Sequence, residues 1–529
     1  MAERAWAGWT WATVSLETRL PRAAAPAIVL ALAATIVATS IRYSQYVAAA
    51  SDAWGYVSQA HMWATGTLRQ PQPLMAELTG FVPREALAPL AYRPAAGTAA
   101  IVPVTSPGLP MVMAIFERIG GAPAVFAVVP LLAALAVWAT YLVGRELSDR
   151  WTGVAAATLL AASPAYLFQL TSAPMSDIPA AAFWGLSLAA ALRIGASPPS
   201  RSDGAGRASR RRPAAPDWSA LASGIAAGAA ILVRANLAPL AAVPGALVLF
   251  NSPQRSRSAV MFALGIVPAA GFIGLLYTYW YGSPLNSGYG ALNQLYSTAN
   301  IAPNLAHYSR WLVESQTPII LAAVAAPLVL RRRMAALALL VFAVAVVACY
   351  LLYIPFDAWW YLRFLLPAYP ALLALTAGAI VAAAKRIPQQ LRVIVTVGVL
   401  LAVANRAIGY AAARATFDSG GEQKYAITGH YVADHLPANA VIICEQHSGS
   451  VRYYSNRTTI RFGSVPSDHL DGAVAELHRL GYRPYLLVED WEEDAFRRQF
   501  AGRGVLNSLS GGPEFELPLG NVRIYPLAR

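Results

Sequence analysis

Four charged residues lie where an apolar sequence has least room for them. Asp52 stands in Ser51-Asp52-Ala53-Trp54-Gly55-Tyr56 and Asp177 in Met175-Ser176-Asp177. Arg234 stands in Val233-Arg234-Ala235-Asn236-Leu237, and Arg363 in Trp359-Trp360-Tyr361-Leu362-Arg363-Phe364-Leu365-Leu366-Pro367. A carboxylate at the edge of an apolar segment needs a partner or a task, because an unpaired charge is costly there. Two carboxylates can divide general-base and orienting roles, or share a divalent ion. Both acids also suit helix starts: Ser51-Asp52 and Ser176-Asp177 read equally as N-terminal caps, with Pro179 near the second start. A guanidinium is the preferred bidentate partner of phosphate, although an Arg among apolar residues can equally snorkel to lipid headgroups. Arg363, within an aromatic cluster, would suit a phosphate whose lipid tail stays in the bilayer; Trp359, Trp360 and Tyr361 also read as an interfacial belt.

Neutral polar groups accompany these charges. Asn236 follows Arg234, and the turn-rich run Tyr281 to Gly290 carries Tyr289; Tyr56, Tyr92, Arg93 and Tyr361 are further donors. The run is either a tight turn or a lip that hydrogen-bonds a sugar or phosphate-bearing head. His61 reads as structural.

The chain that must position these groups is unusually apolar. Of 529 residues, 57% are hydrophobic and only 13% charged, against about 25% in soluble proteins. With a mean hydropathy of +0.46, several membrane spans are expected. The net charge of +13 resides in short loops between apolar runs, which is a topology signal and argues against nucleic acid as a partner. Cys349 lies in an apolar run and Cys444 in the polar tail, so neither a disulfide nor a cysteine metal site is expected.

Eleven apolar runs, at about 23–46, 122–144, 151–168, 178–194, 218–233, 237–250, 259–281, 313–330, 334–353, 364–384 and 391–412, are long enough to be candidate spans. The first has no convincing cleavage site after it and reads as a retained span. Segment 107–119 is too short and polar, and is read as a surface helix. On that reading Arg4, Arg19, Arg22, Arg145, Arg150, Arg201, Arg207, Arg210 to Arg212, Arg255, Arg257, Arg331 to Arg333, Lys385, Arg386 and Arg392 all fall on one side. The positive-inside rule makes that side cytoplasmic, with the N-terminus. Asp52, Asp177, Arg234 and Arg363 then share the opposite face. The expected fold is an α-helical polytopic membrane domain over 1–412, with a first outer loop at 47–121 and a basic, compositionally disordered cytoplasmic linker at 195–217. A small non-cytoplasmic α/β domain follows over 413–529, with strands near Ala440–Cys444, Pro484–Val488 and Val522–Tyr525 and helices near Asp471–Leu480 and Trp491–Phe500.

This layout resembles the GT-C superfamily of membrane glycosyltransferases, and more narrowly the bacterial relatives of protein O-mannosyltransferases and of the lipid A aminoarabinose transferase. Asp52 at the start of a long first outer loop, the surface helix opening Ser106-Pro107-Gly108-Leu109-Pro110, Asp177 in the second outer loop and Tyr361-Leu362-Arg363-Phe364-Leu365-Leu366-Pro367 carry the resemblance, over about residues 20–412. It implies a hexosyl or pentosyl transferase in the plasma (inner) membrane. The donor would be a polyprenyl-phosphate sugar, and the acceptor a glycan, lipid or protein hydroxyl. Asp52 would be the general base of an inverting reaction, Asp177 its orienting partner, and Arg363 and Arg234 the clamp on the leaving phosphate. No metal ligand set is assigned, although a divalent ion at Asp52 and Asp177 is compatible with the pair. Asp52 has no adjacent second acid, and Ser106-Pro107-Gly108 replaces the family's His-Pro-Pro or Lys-Pro-Pro, so sugar and acceptor stay open. The rival readings are a transporter or flippase for lipid-linked glycan, a glycan polymerase or ligase, and a scaffold acting through its tail.

Overall fold

The computed structural model describes residues 21–194, 218–290, 295–418 and 420–528. Linker 195–217, with Arg201, Arg207 and Arg210 to Arg212, lies outside the described residues, as do Arg4 and Arg19.

The apolar runs form helices wherever Pro, Gly and polar clusters do not intervene. α1 (Ala24–Tyr43) leads into a loop region containing α2 (Asp52–Thr65), β1 (Gln70–Pro71), β2 (Tyr92–Pro94), β3 (Ala100–Pro103) and α3 (Gly108–Gly120). The bundle continues through α4 (Val128–Leu147), α5 (Arg150–Ala161), α6 (Pro164–Thr171), α7 (Asp177–Arg193), α8 (Trp218–Val233), α9 (Ala242–Asn251) and α10 (Arg255–Tyr281). It closes with α11 (Ile301–Gln316), α12 (Ala322–Val329), α13 (Arg333–Leu351), α14 (Tyr369–Ala384) and α15 (Gln389–Ala412). Among the described residues, six helices are long and apolar enough to cross a membrane, or up to eight if each of two bent pairs counts as one span. α10, at 27 residues, rises roughly 40 Å, more than the ~30 Å hydrocarbon layer needs. α8 and the Ala235–Asn251 stretch are helical but short. The eleven apolar runs therefore exceed the full-length spans.

The expected span at 313–330 is corrected. Thr317 takes a left-handed φ of 63°, and the helices on either side meet at 114°. The chain breaks because Thr317-Pro318 cannot continue the helix ladder. The 107–119 segment is the 13-residue α3, which packs on α2.

Small residues bring the central helices together. A Cβ at Gly224 would collide with the Phe262 carbonyl, so α8 and α10 touch backbone to backbone. Ser187 and Ser223 exchange hydrogen bonds across α7 and α8 at 3.0 and 2.9 Å. Tyr166, Trp184, Phe342 and Tyr369 fill the bundle core. By contrast, α10 and α15 expose Val260, Leu264, Val267, Leu275, Leu391, Ile394 and Leu401, the faces a bilayer covers.

The chain after α15 forms α16 (Gln423–His435), β4 (Ala440–Cys444), α17 (Ser448–Ser455), β5 (Thr458–Arg461), α18 (Leu470–Arg479), β6 (Arg483–Glu489), α19 (Asp490–Gln499), β7 (Phe515–Leu517) and β8 (Val522–Pro526). The sheet order is β5-β4-β6-β8-β7. β4 pairs parallel with β5 and β6, while β8 runs antiparallel to β6 and β7. The three expected strands and two expected helices are among these elements.

This region and the 47–121 loop share one apolar core. Trp54, Leu87 and Leu109 pack in the same cluster as Ile443, Leu486 and Phe496. Gly449 lies so close to the Trp54 indole that any Cβ there would overlap it. The Ala48 N–H donates to the Tyr454 hydroxyl at 2.9 Å, and the Leu90 N–H to Ser448 Oγ at 3.1 Å.

Candidate active site

The four charged residues singled out by type meet at one point, each carried by a different element. Asp52 opens α2, two residues after Ala50, a non-glycine residue at φ 47°. Asp177 opens α7, Arg234 ends the ladder of α8, and Arg363 lies in the 3-10 stretch Trp359–Ala368 before α14. Neither Ser51 nor Ser176 makes a side-chain cap bond. The carboxylates are engaged by arginines instead: Arg363 Nη2 lies 3.0 Å from Asp52 Oδ2, Arg234 Nη2 lies 2.8 Å from Asp177 Oδ1, and Arg363 Nη1 lies 3.8 Å from Asp177 Oδ2.

Burial divides the pair. The Asp177 side chain is 0% exposed and the Asp52 side chain 33%. Asp177 is thus an anchor below the surface, and Asp52 is the carboxylate that solvent or a ligand can reach. A buried carboxylate facing two guanidinium groups is compensated in charge, and removing it would strand both cations. Neutral donors complete the frame. Ser176 Oγ accepts from Arg234 Nε at 3.0 Å and from the Tyr56 hydroxyl at 2.8 Å. The Tyr350 hydroxyl accepts from Arg234 Nη1 at 2.6 Å and from Asn236 Nδ2 at 3.3 Å. Burial, with Asp52 nearby, pushes the Tyr56 phenol above its ordinary value, so it stays protonated and donating. Arg363 also lies over the rings of Phe364 and Tyr361, at 5.1 and 5.5 Å.

These groups line a cavity of about 440 Å³, within the range of small-ligand sites. Asp52, Tyr56, Arg234, Asn236, Tyr289, Tyr361 and Arg363 all face it. Arg93 does not. Its Nη1 donates to the Ser287 carbonyl at 3.0 Å and its guanidinium lies over Tyr281, so Arg93, read from sequence as a further substrate-binding donor, fastens the 281–290 turn. Of that turn only Tyr289 lines the cavity among the described residues. His61 pairs with Glu117 at 2.7 Å away from the site.

Several lining residues carried no usable sequence signal. Tyr350 and Tyr353 end an apolar span, where tyrosine is ordinary. Tyr296 and Phe356 come from loops, and Gln446 from the C-terminal region. Ser176 adjoins Asp177, and only its two donors distinguish it from a helix cap.

A divalent ion shared by Asp52 and Asp177 does not fit this arrangement. Their oxygens face two guanidinium groups, and among the described residues no cluster of three or more His, Cys, Asp or Glu side chains converges. An added cation would sit against two fixed positive charges without enough ligands.

Known proteins share this architecture. The N-terminal family of oligosaccharyl transferase STT3 matches residues 94–177, ending on Asp177. The ArnT of Cupriavidus metallidurans, solved with undecaprenyl phosphate bound, superposes with a TM-score of 0.54 at 14% identity, covering 96% of this chain and 98% of its own. The archaeal oligosaccharyltransferase AglB of Archaeoglobus fulgidus, solved with an inhibitory peptide and a dolichol-phosphate, gives 0.55 at 14% identity over 95% of this chain and 74% of its own. The mycobacterial arabinofuranosyltransferase AftD gives 0.53 at 14% identity, over 95% of this chain and 40% of its own. No curated protein sequence matches the chain. At this identity the likeness is one of fold: the chain is an integral, multi-pass membrane protein with the fold of the GT-C membrane glycosyltransferases.

Proposed function

We propose that the protein is a GT-C glycosyltransferase that moves a sugar from a polyprenyl-phosphate donor to an acceptor hydroxyl, with inversion, at the non-cytoplasmic surface of the plasma membrane. The observation that carries this reading is the exposed Asp52 carboxylate held by Arg363 beside a second, anchored guanidinium, all facing one cavity. Arg363 Nε is buried without an acceptor, so its fork has a donor to spare. The donor phosphate takes up Arg363 and Arg234, and Arg363 exchanges Asp52 for phosphate oxygen. Asp52, released beside the sugar, accepts the acceptor's hydroxyl proton. The acceptor oxygen bonds to the anomeric carbon, the bond from that carbon to phosphate oxygen breaks, and the lipid phosphate leaves with the electron pair. The two guanidinium groups stabilise the charge that develops there. Asp177 holds both in place and touches no substrate. The neighbours support the donor class, since ArnT and AglB are seen with undecaprenyl phosphate and dolichol-phosphate.

The test is transfer from a radiolabelled polyprenyl-phosphate sugar in membranes containing the wild type or Asp52→Asn. Loss of a positioned base lowers the rate by about a thousandfold. Undiminished transfer by the variant removes Asp52 from the reaction.

A further inference from the structure

The C-terminal α/β region meets the cavity at one residue. Among the described residues that line it, Gln446 alone comes from beyond residue 413. It sits in the turn between β4 and α17 and shares the cavity lining with Ser51 and Asp52. That placement follows from the topology. β4 pairs parallel with β5 on one side and with β6 on the other, so the chain reverses its direction of winding there. In an open α/β sheet, the crevice beyond the carboxyl ends of such strands is where ligands bind. Here the crevice opens onto the candidate active site.

The turn is held firmly. The Gln446 N–H donates to Glu492 Oε1 at 2.7 Å, and the Glu489 N–H to Glu492 Oε2 at 3.0 Å. The next residue, His447, is fully buried, with Nε2 3.0 Å from Glu489 Oε1. Lys424 Nζ lies 2.7 Å from the other Glu489 oxygen. The backbone of Gln446 is therefore fixed, while the half-buried residue lines the cavity. A pre-set neutral amide, donor and acceptor at once, suits a hydroxyl-bearing group and offers nothing to a charged one.

On the reading above, Arg234 and Arg363 are the groups in the cavity that take the donor phosphate. Gln446 adds a neutral lining group from the C-terminal region to the same cavity as Asp52. We propose that Gln446 binds the acceptor, a neutral, hydroxylated molecule such as a glycan, and holds the reacting hydroxyl beside Asp52. This rests on the glycosyl-transfer reading above, and it makes the C-terminal region half of the substrate site.

The experiment uses the full chain in proteoliposomes, with a radiolabelled polyprenyl-phosphate sugar and a short-chain alkyl glycoside as the hydroxyl acceptor. Wild type, Gln446→Ala and Gln446→Asn are compared for sugar transfer and for release of free sugar to water. Gln446→Ala raises the KM for the glycoside about tenfold or more, while the donor KM and the rate of donor hydrolysis stay within about twofold. Gln446→Asn, which keeps the amide on a shorter stem, recovers part of the loss. An unchanged glycoside KM in Gln446→Ala overturns the inference. So does a parallel fall in transfer and hydrolysis, which marks a structural role. A wild type that neither transfers nor hydrolyses the donor overturns the glycosyltransferase reading itself, and this inference with it.

Discussion

Asp177 and Asp52 are the same side chain in two settings, and the settings predict different consequences of the same substitution. Asp177 is wholly buried between Arg234 and Arg363. Asp177→Asn leaves two guanidinium groups with one carboxylate between them, which costs about 3–5 kcal/mol when a buried pair is broken. The expected outcome is a marked fall in the half-unfolding temperature in detergent, together with loss of activity. Asp52 is a third exposed, so Asp52→Asn should unfold near the wild-type temperature while losing transfer. A variant order reversed in the unfolding measurement would show that Asp177 is not the anchor. Arg363 carries a related prediction. It serves Asp52 with one nitrogen and approaches Asp177 with the other, a use of the planar fork that an ammonium cannot repeat. Arg363→Lys should therefore raise the donor KM and lower kcat even though charge is kept; kinetics equal to wild type would mean that only charge matters there.

Elements were legible from the sequence where a local pattern dictates them. Continuous apolar runs with basic ends gave the bundle helices, and alternation between turn residues gave β4, β6 and β8. The break at Thr317 was not legible, because the apolar residues after it blend with those of α11 and only the backbone at Thr317 turns the chain. β1, β2 and β3, two to four residues each, are too short to carry a period. The site was half legible. Charges stranded among apolar residues stood out, whereas Gln446 sits in an ordinary strand-to-helix turn and reaches the cavity only through long-range docking of α17 against α2. That turn has a measurable dependence on pH. Burial pushes Glu492 up to about 7, against the pull of the Glu489 and Gln446 N–H groups. Burial also acts to raise Glu489, but hydrogen bonds from His447, Lys424 and Trp491 outweigh it and hold that carboxylate down to about 2. For Glu492 the folded value lies above the ordinary 4.5, so its contribution to stability is full below 4.5 and is lost as pH rises through 7. Glu492→Gln mimics the protonated form. The unfolding temperature of the variant relative to wild type should rise between pH 5 and 8, and a difference that stays flat would mean that Glu492 does not titrate there.

At the scale of the whole molecule, the question is why the cavity stands where bundle and C-terminal region meet. A polyprenyl tail is too apolar to leave the bilayer, so its phosphate can be presented only at the membrane boundary. An acceptor that is not lipid must be met from the aqueous side by a folded surface. On the proposed reading, the shared core of the 47–121 loop and the C-terminal sheet supplies that surface, beside the cavity that Asp52 and Gln446 line. The side of the membrane proposed for it rests on charge. Arg145, Arg150, Arg255, Arg331 to Arg333, Lys385 and Arg386 lie at the helix ends away from the cavity, where α4 finishes, α10 and α13 begin, and α14 finishes. Short loops rich in Arg and Lys stay in the cytoplasm, so the proposed orientation turns the cavity outward. Single cysteines test this directly. Cys444 is buried and Cys349 can be replaced by Ser, leaving a quiet background for Arg498→Cys on α19 and Ser256→Cys on α10, both exposed positions. In intact spheroplasts, a membrane-impermeant maleimide should label the cysteine at 498 at once and that at 256 only after the membrane is opened. The reverse pattern would turn the cavity toward the cytoplasm, where the acceptor would have to be a cytoplasmic molecule and the charge-based topology would fail with it.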